Sequence, residues 1–287
     1  MRSTSRIFYI TVAVICLVTT TVDGFAALRP GVTSTTKITS QLKSESSTTA
    51  NNLAIVRQTQ LFAGSNAGVV PGIGEEGCNL PSVSGINTKD DLTQAFVVKV
   101  VFLSLALGTF LFSSGLEQCS GFLDSNFPSQ YEFFRNTWPI SFGLIFSLAG
   151  VTHFTLKEEY ENIYPTRGAW GVWYLPGSRA FHVAWTGAAE LAGGLGLLAA
   201  GVSSFAGNPN LAPLTSAGLE SDSAAALFLL VLAVTPANIF MFTHGAKLPM
   251  DSEPLPVSFH GVRWIMQVVL LGFLYQMGQE TFQALLS

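Results

Sequence analysis

AAALFLLVLAVTPANIFMF, residues 224–242, runs through nineteen positions without a charged side chain. A bilayer's hydrocarbon core asks for roughly 20 predominantly apolar residues in helical form, so this stretch predicts a membrane span. Four more runs of the same kind surround it: Ala95 to Phe112, Trp138 to Phe154, His182 to Phe205 and Val262 to Met277. The period-two alternation of a membrane barrel is absent. A single apolar helix can belong to a soluble core. Five in one chain, with so few charges between them, predict an all-α membrane protein.

The bulk composition agrees. Hydrophobic residues make up 48% and charged residues 11%, against about 25% charged in soluble domains. The net charge of -4 comes with no basic run, so a nucleic-acid partner is excluded. Cys16, Cys78 and Cys119 form no CxxC pair and no zinc-finger spacing; nothing in the pattern supports a Cys78–Cys119 bridge.

The chain begins with Arg2 and Arg6 ahead of an apolar run from Ile7 to Val18, too short for a comfortable span and typical of a secretory signal. Thr33 to Thr59 is rich in Ser and Thr, holds Lys37, Lys43 and Arg57, and contains one acidic residue, Glu45. That is transit-peptide composition; a disordered extracellular stalk would share the Ser/Thr bias. With Phe25 at the junction, the two parts together resemble the bipartite plastid presequences of diatoms and related algae. The expected organisation is a signal peptide over 1–24, a transit peptide over 25–63 and a Gly/Pro/Ser-rich tether over 64–91. An extra transmembrane helix and loop over 92–136 and a four-helix membrane domain over 137–287 follow. Thr137 is expected to cap the second span, with Pro139 in its first turn. Tyr164, Trp170, Trp173, Tyr174 and Trp185 are expected to form an interfacial aromatic belt. Ala188, Ala192, Gly196 and Ala200 are expected to let a neighbouring helix approach closely. Lys157, Arg167, Arg179 and Lys247 place the 155–181 and 243–260 connections on the side equivalent to cytoplasm, the stroma in a plastid.

From about Trp138 to Gln279 the chain resembles the DoxX-like family of four-helix membrane proteins. The residues that carry the resemblance are Ala149 to Phe154 on the second run, Gly187 to Leu198 on the third, Pro236 to Met241 on the fourth, and Arg263 with Gln267 on the fifth. The resemblance implies a DoxX-like bundle preceded by one additional span. It also implies a redox-linked membrane subunit, because founding members of the family look like membrane subunits of quinone-linked sulfur oxidoreductases. Other members resemble membrane partners of thiol or redox proteins.

Ionisable residues inside membrane helices are costly and tend to be functional. Glu190 lies eight residues into the third run, roughly 12 Å at 1.5 Å per residue. Asn238 and Gln267 reach comparable depths, roughly 9 and 10 Å, on the fourth and fifth, and Arg263 shares a helix face with Gln267. His153, His182, His244 and His260 stand at helix ends. A polar pocket of Glu190, Asn238, Arg263 and Gln267, with His153 and His182 at its mouth, follows from these depths. Two readings of it stand. In one, Glu190 pairs with Arg263 and the amides complete a network that fixes helix register. In the other, the pocket takes a quinone headgroup or relays a proton. No metal is expected, since no ExxH pair of a di-iron bundle is present. GxSxG, HExxH and P-loop signatures are absent as well. The expected function is an integral membrane subunit or accessory protein of a plastid redox or photosynthetic complex in the thylakoid or inner envelope. Lipid and other membrane proteins are the expected partners and a quinone the candidate cofactor. The alternative is a stand-alone membrane enzyme or small-molecule carrier.

Overall fold

The computed structural model describes residues 82–206, 218–246 and 255–287, and these form helices, turns and connections with no strand among them. The presequence, the tether before residue 82, Cys78 and Lys247 lie outside the described residues. Eight α-helices follow in order: α1 Asp91–Asn126, α2 Pro128–Asn136, α3 Trp138–Thr155, α4 Lys157–Ile163, α5 Arg179–Ala206, α6 Leu219–His244, α7 Val257–Met277 and α8 Gln279–Leu285. Helices α1, α5, α6 and α7 are each long and apolar enough to cross a membrane. The segment Pro128–Thr155 joins them as a fifth span if it is taken with Lys157–Ile163, which bends away from it by 97°. The protein is a multi-pass membrane protein in contact with lipid, all-helical over the described residues.

Helix α1 starts where the Asp90 carboxylate accepts the Thr93 amide at 3.3 Å, satisfying one of the donors that a helix N-terminus leaves open. The Thr93 hydroxyl, followed by the backbone amide, holds the Asp90 carboxyl below its ordinary value. The sequence places a loop over 114–136, but the chain stays helical there. No proline interrupts it until Pro128, and proline disfavours helical geometry at the residue before it. Phe127, at φ -140° and ψ 54°, is accordingly the only break before α2 begins. Thr137 does not cap α3. Its own backbone is helical and its hydroxyl donates to the Phe134 carbonyl at 2.6 Å, closing the turn from α2 instead.

Helices α3 and α5 pack backbone to backbone. A Cβ on Gly143 would lie 2.6 Å from the Leu198 amide nitrogen, and one on Gly150 would lie 2.5 Å from that of Leu191. On the facing helix, a Cβ on Gly194 would lie 2.5 Å from the Ser147 amide nitrogen. Gly143 and Gly150 are seven apart, as are Gly187, Gly194 and Gly201. That is the spacing at which a helix returns the same face to a partner. The close approach of α3 and α5 therefore belongs to this heptad series; of the predicted four-residue stripe, Ala188 and Ala192 are exposed, whereas Ala200 is buried and Gly196 lies so close to Ser223 of α6 that a Cβ would collide with it.

Helix α6 is central. It contacts α5 on one side and α7 on the other, and α7 in turn packs on α1. In α6, 61% of the apolar stretch is buried, against 22–33% in the other three spanning helices. The outward face of α1, including Leu92, Phe96, Leu103 and Leu111, is exposed and apolar, as lipid contact requires.

One end of the bundle is closed by the connection between α3 and α5. Trp170 sits there at φ 55°, a conformation uncommon for any residue but glycine. Its ring is buried and its indole nitrogen donates to the Thr243 hydroxyl at 2.9 Å. Because Thr243 supplies the acceptor, Trp170 has no need of interfacial water, and it leaves the predicted aromatic belt for a small core with Phe102, Phe240 and Met241. Ser82 donates to the Thr243 carbonyl at 2.7 Å, so the end of the predicted tether packs on the same plug.

Candidate functional site

His153 lies near the end of α3, buried against α5. Gly187 makes this placement work, because any Cβ there would collide with the Cβ of His153. The imidazole Nδ1 lies 3.0 Å from the Val183 carbonyl oxygen. A carbonyl only accepts, so Nδ1 carries a hydrogen. The Thr186 hydroxyl, which donates to the His182 carbonyl at 2.7 Å, backs the same nitrogen at 3.4 Å. The other nitrogen, Nε2, stands 3.2 Å from Glu190 Oε2. The Tyr160 ring lies against the imidazole, with centroids 3.9 Å apart, and the Tyr160 hydroxyl is 2.7 Å from that of Thr152.

Glu190 therefore pairs with His153, not with Arg263 as the first sequence reading has it. The reason is topological: Arg263 is on α7, Glu190 is on α5, and α6 stands between them. Arg263 instead donates to Asn238 Oδ1 and to the Met241 sulfur. Asn238 Nδ2 donates to Gln267 Oε1 at 3.3 Å, Gln267 Nε2 to the Thr235 hydroxyl at 2.6 Å, and Thr235 to the Val231 carbonyl at 2.8 Å. This ladder zips α7 to α6 beside Pro236, which interrupts the backbone bonding of α6.

His182 is held differently from His153. Its Nε2 donates to the Pro176 carbonyl at 2.8 Å, and its Nδ1 accepts from the Trp185 indole at 3.1 Å. Carbonyls only accept and indoles only donate, so this arrangement fixes the Nε2–H tautomer. Tyr164 stacks on the ring at 5.0 Å. Burial pushes the Tyr164 phenol above its ordinary value, and the nearby Arg179 charge pulls against it.

A cavity of about 380 Å³ joins these parts. Its lining takes His153 from α3, His182 and Glu190 from α5, Asn238 from α6 and Arg263 from α7, with Tyr160, Tyr164 and Trp173 among the aromatic walls. Gln267 is not among its lining residues. It lines a second cavity of about 290 Å³, between α1, α6 and α7, to which Asn238 and Arg263 also belong. Among the described residues no three His, Cys, Asp or Glu side chains gather as metal ligands, and Cys119 is exposed and unbridged.

Sequence reasoning passes over Tyr160, Thr186 and Thr235. Thr186 has a signal: His182, Thr186 and Glu190 recur every four residues and mark one polar face of α5. Thr235 has a weaker one, a hydroxyl next to a helix proline. Tyr160 has none, because its role depends on the 97° bend before α4. Compared with family models, with curated proteins and with solved structures, the chain matches none of them.

Proposed function

We propose that this protein is a membrane subunit or accessory protein of a redox-linked complex in a plastid membrane, and that its bundle cavity takes the headgroup of a lipid-soluble, quinone-class molecule. The observation that carries the reading is the cavity itself. Its volume falls in the range of small-molecule sites, about 300–1,000 Å³, and its few polar groups, drawn from four different helices, are set among apolar and aromatic walls. A planar ring with oxygens at both ends meets that pattern. Arg263 and Asn238 can serve one oxygen, and Tyr164 and Trp173, whose rings meet edge to face at 67°, can bound the ring with one face and one edge. The plastid address rests on the two-part presequence, and the redox link on the DoxX-like residues of α3, α5, α6 and α7.

A second reading, a small-molecule carrier, is favoured by one observation: Asn238 and Arg263 line both cavities and so stand where a passing molecule would cross. Two measurements on full-length protein in nanodiscs and native membranes decide. Saturable binding of decyl-plastoquinone, with co-migration in a larger complex on a native gel, is the expected result. Migration at its own mass together with no quinone binding overturns the proposal. A reporter fused behind residues 1–64 tests the address, and secretion of that reporter would remove the plastid.

A further inference from the structure

We infer that the Glu190 end of the cavity is a hydrogen-bond acceptor, so that the site prefers a ligand donating a hydroxyl there: the reduced, quinol form over the quinone. The inference rests on the cavity being a quinone-class site, and it turns on counting protons around His153.

The Val183 carbonyl requires a hydrogen on Nδ1 of His153. The Thr186 hydroxyl also faces Nδ1, with its own hydrogen directed to a carbonyl. In the neutral ring Nε2 is then a bare lone pair, and it faces the Glu190 carboxyl at 3.2 Å. Two sets of lone pairs at that distance repel, so one proton lies between Nε2 and Oε2. It belongs either to an imidazolium beside a carboxylate or to a carboxylic acid donating to a neutral imidazole. Both arrangements leave the same thing for the cavity. The remaining oxygen of Glu190, Oε1, bears lone pairs and no hydrogen in either. The pair thus shows an accepting oxygen to a ligand however the proton is shared.

The other groups around the cavity do not reverse this. His182 has both nitrogens engaged, with Pro176 and with Trp185. The Tyr160 hydroxyl is turned to Thr152. Tyr164 stands beside His182, and its hydroxyl and the Trp173 indole nitrogen, both buried without a hydrogen-bond partner, are donors at that His182 part of the lining and not beside Glu190; Arg263 and Asn238, from α7 and α6, supply further donors. A quinone carbonyl placed against Glu190 would set lone pairs against lone pairs. A quinol hydroxyl in the same position donates to Oε1, and its second oxygen still accepts from the Arg263 side. A missing donor opposite a built acceptor is what gives polar sites their large discrimination.

The test is an equilibrium redox titration of decyl-plastoquinone bound to full-length protein in nanodiscs. Quinol bound tenfold more tightly than quinone raises the midpoint potential of the bound couple by about 30 mV over that in empty nanodiscs. A shift of at least that size is expected in the wild type. Glu190→Leu should abolish it. Glu190→Gln, which can still turn an oxygen to the cavity, should keep part of it. Because the wild-type titration stands alone, poor folding of a variant does not protect the inference. An unshifted or lowered potential with binding intact overturns the quinol preference and leaves the cavity reading standing. Absence of binding by both forms overturns the two together.

Discussion

Two polar clusters share one cavity, and they are built on opposite plans. The ladder between α6 and α7 is directional: Arg263 gives to Asn238, Asn238 to Gln267, Gln267 to Thr235, and Thr235 to a backbone carbonyl. Each step consumes a donor and an acceptor, and the last step ends inside the helix. The His153–Glu190 pair between α3 and α5 ends instead on a carboxylate oxygen beside the cavity. Buried polar groups stabilise when every member is satisfied, so the ladder reads as a fastener. A polar group kept for a ligand adds little to stability and much to function. The difference between the clusters is where the last hydrogen bond goes.

The largest expected effect comes from breaking the support of only one cluster. Gly150→Val puts side-chain atoms onto the α5 backbone near Leu191, where nothing flexible can yield. Overpacking of this kind costs about 1–3 kcal/mol where side chains can move, and a cost at or above the upper end is expected here. The thermal midpoint in detergent should fall steeply. At permissive temperature, crosslinks placed across α3 and α5 should weaken while those across α6 and α7 persist. Equal loss at both seams would mean that the clusters are not independent.

Asn238→Leu comes next. It removes the acceptor for Arg263 and the donor to Gln267, and stranded groups of this kind cost about 1–3 kcal/mol, more when charged. Stability should drop in chemical or thermal unfolding. Arg263→Met should be milder, since it removes the charge itself and leaves only the neutral Asn238 Oδ1 without its donor, and the double variant should recover part of the loss. Additive losses would show that the ladder is not a unit.

Glu190→Gln is expected to do little to stability, within about 1 kcal/mol, since the amide can donate to His153 Nε2 and replace the shared proton. It should lower ligand affinity or turnover per folded molecule. A protein that fails to accumulate, with activity per molecule intact, would instead move Glu190 into the fastener class. The smallest effect belongs to neither cluster and serves as a baseline. The Asp90 carboxyl is held below its ordinary value of 3.8 by Thr93. Its contribution to the start of α1 is therefore present above that value and lost as pH falls through the lowered one. Protection of the Thr93 amide, its exchange rate taken relative to the intrinsic rate at the same pH, should fall in acid, and Asp90→Asn should remove that fall. A profile unchanged by the substitution would assign the effect to another group.

The spans were legible because span length is a one-dimensional property: an apolar run survives any rotation of its helix. Of the residues grouped by their spacing, Glu190, Asn238 and Arg263 line one cavity and Gln267 does not. Pairing was not legible, because it depends on which helices are neighbours. That order was fixed by Gly143, Gly150, Gly187 and Gly194 across α3 and α5, and the pattern to read was seven residues rather than four. The helical 114–136 segment is illegible for a different reason. It lies between two apolar runs and so reads as a loop, yet helix ends are set by breakers, and the first proline after the start of α1 is Pro128.

The central position of α6 has a consequence for biogenesis. Its partners are made at different times: α3 and α5 precede it from the ribosome, whereas α7 follows. A nascent chain that has inserted α6 but not α7 presents the Asn238 amide to lipid without Gln267 or Arg263 to pair with it, and hydrocarbon offers no substitute partner. The half-built protein thus carries its own mark of incompleteness, written in an exposed amide. An insertion chaperone or membrane protease would read that mark until the last spanning helix arrives and the cavity comes into being.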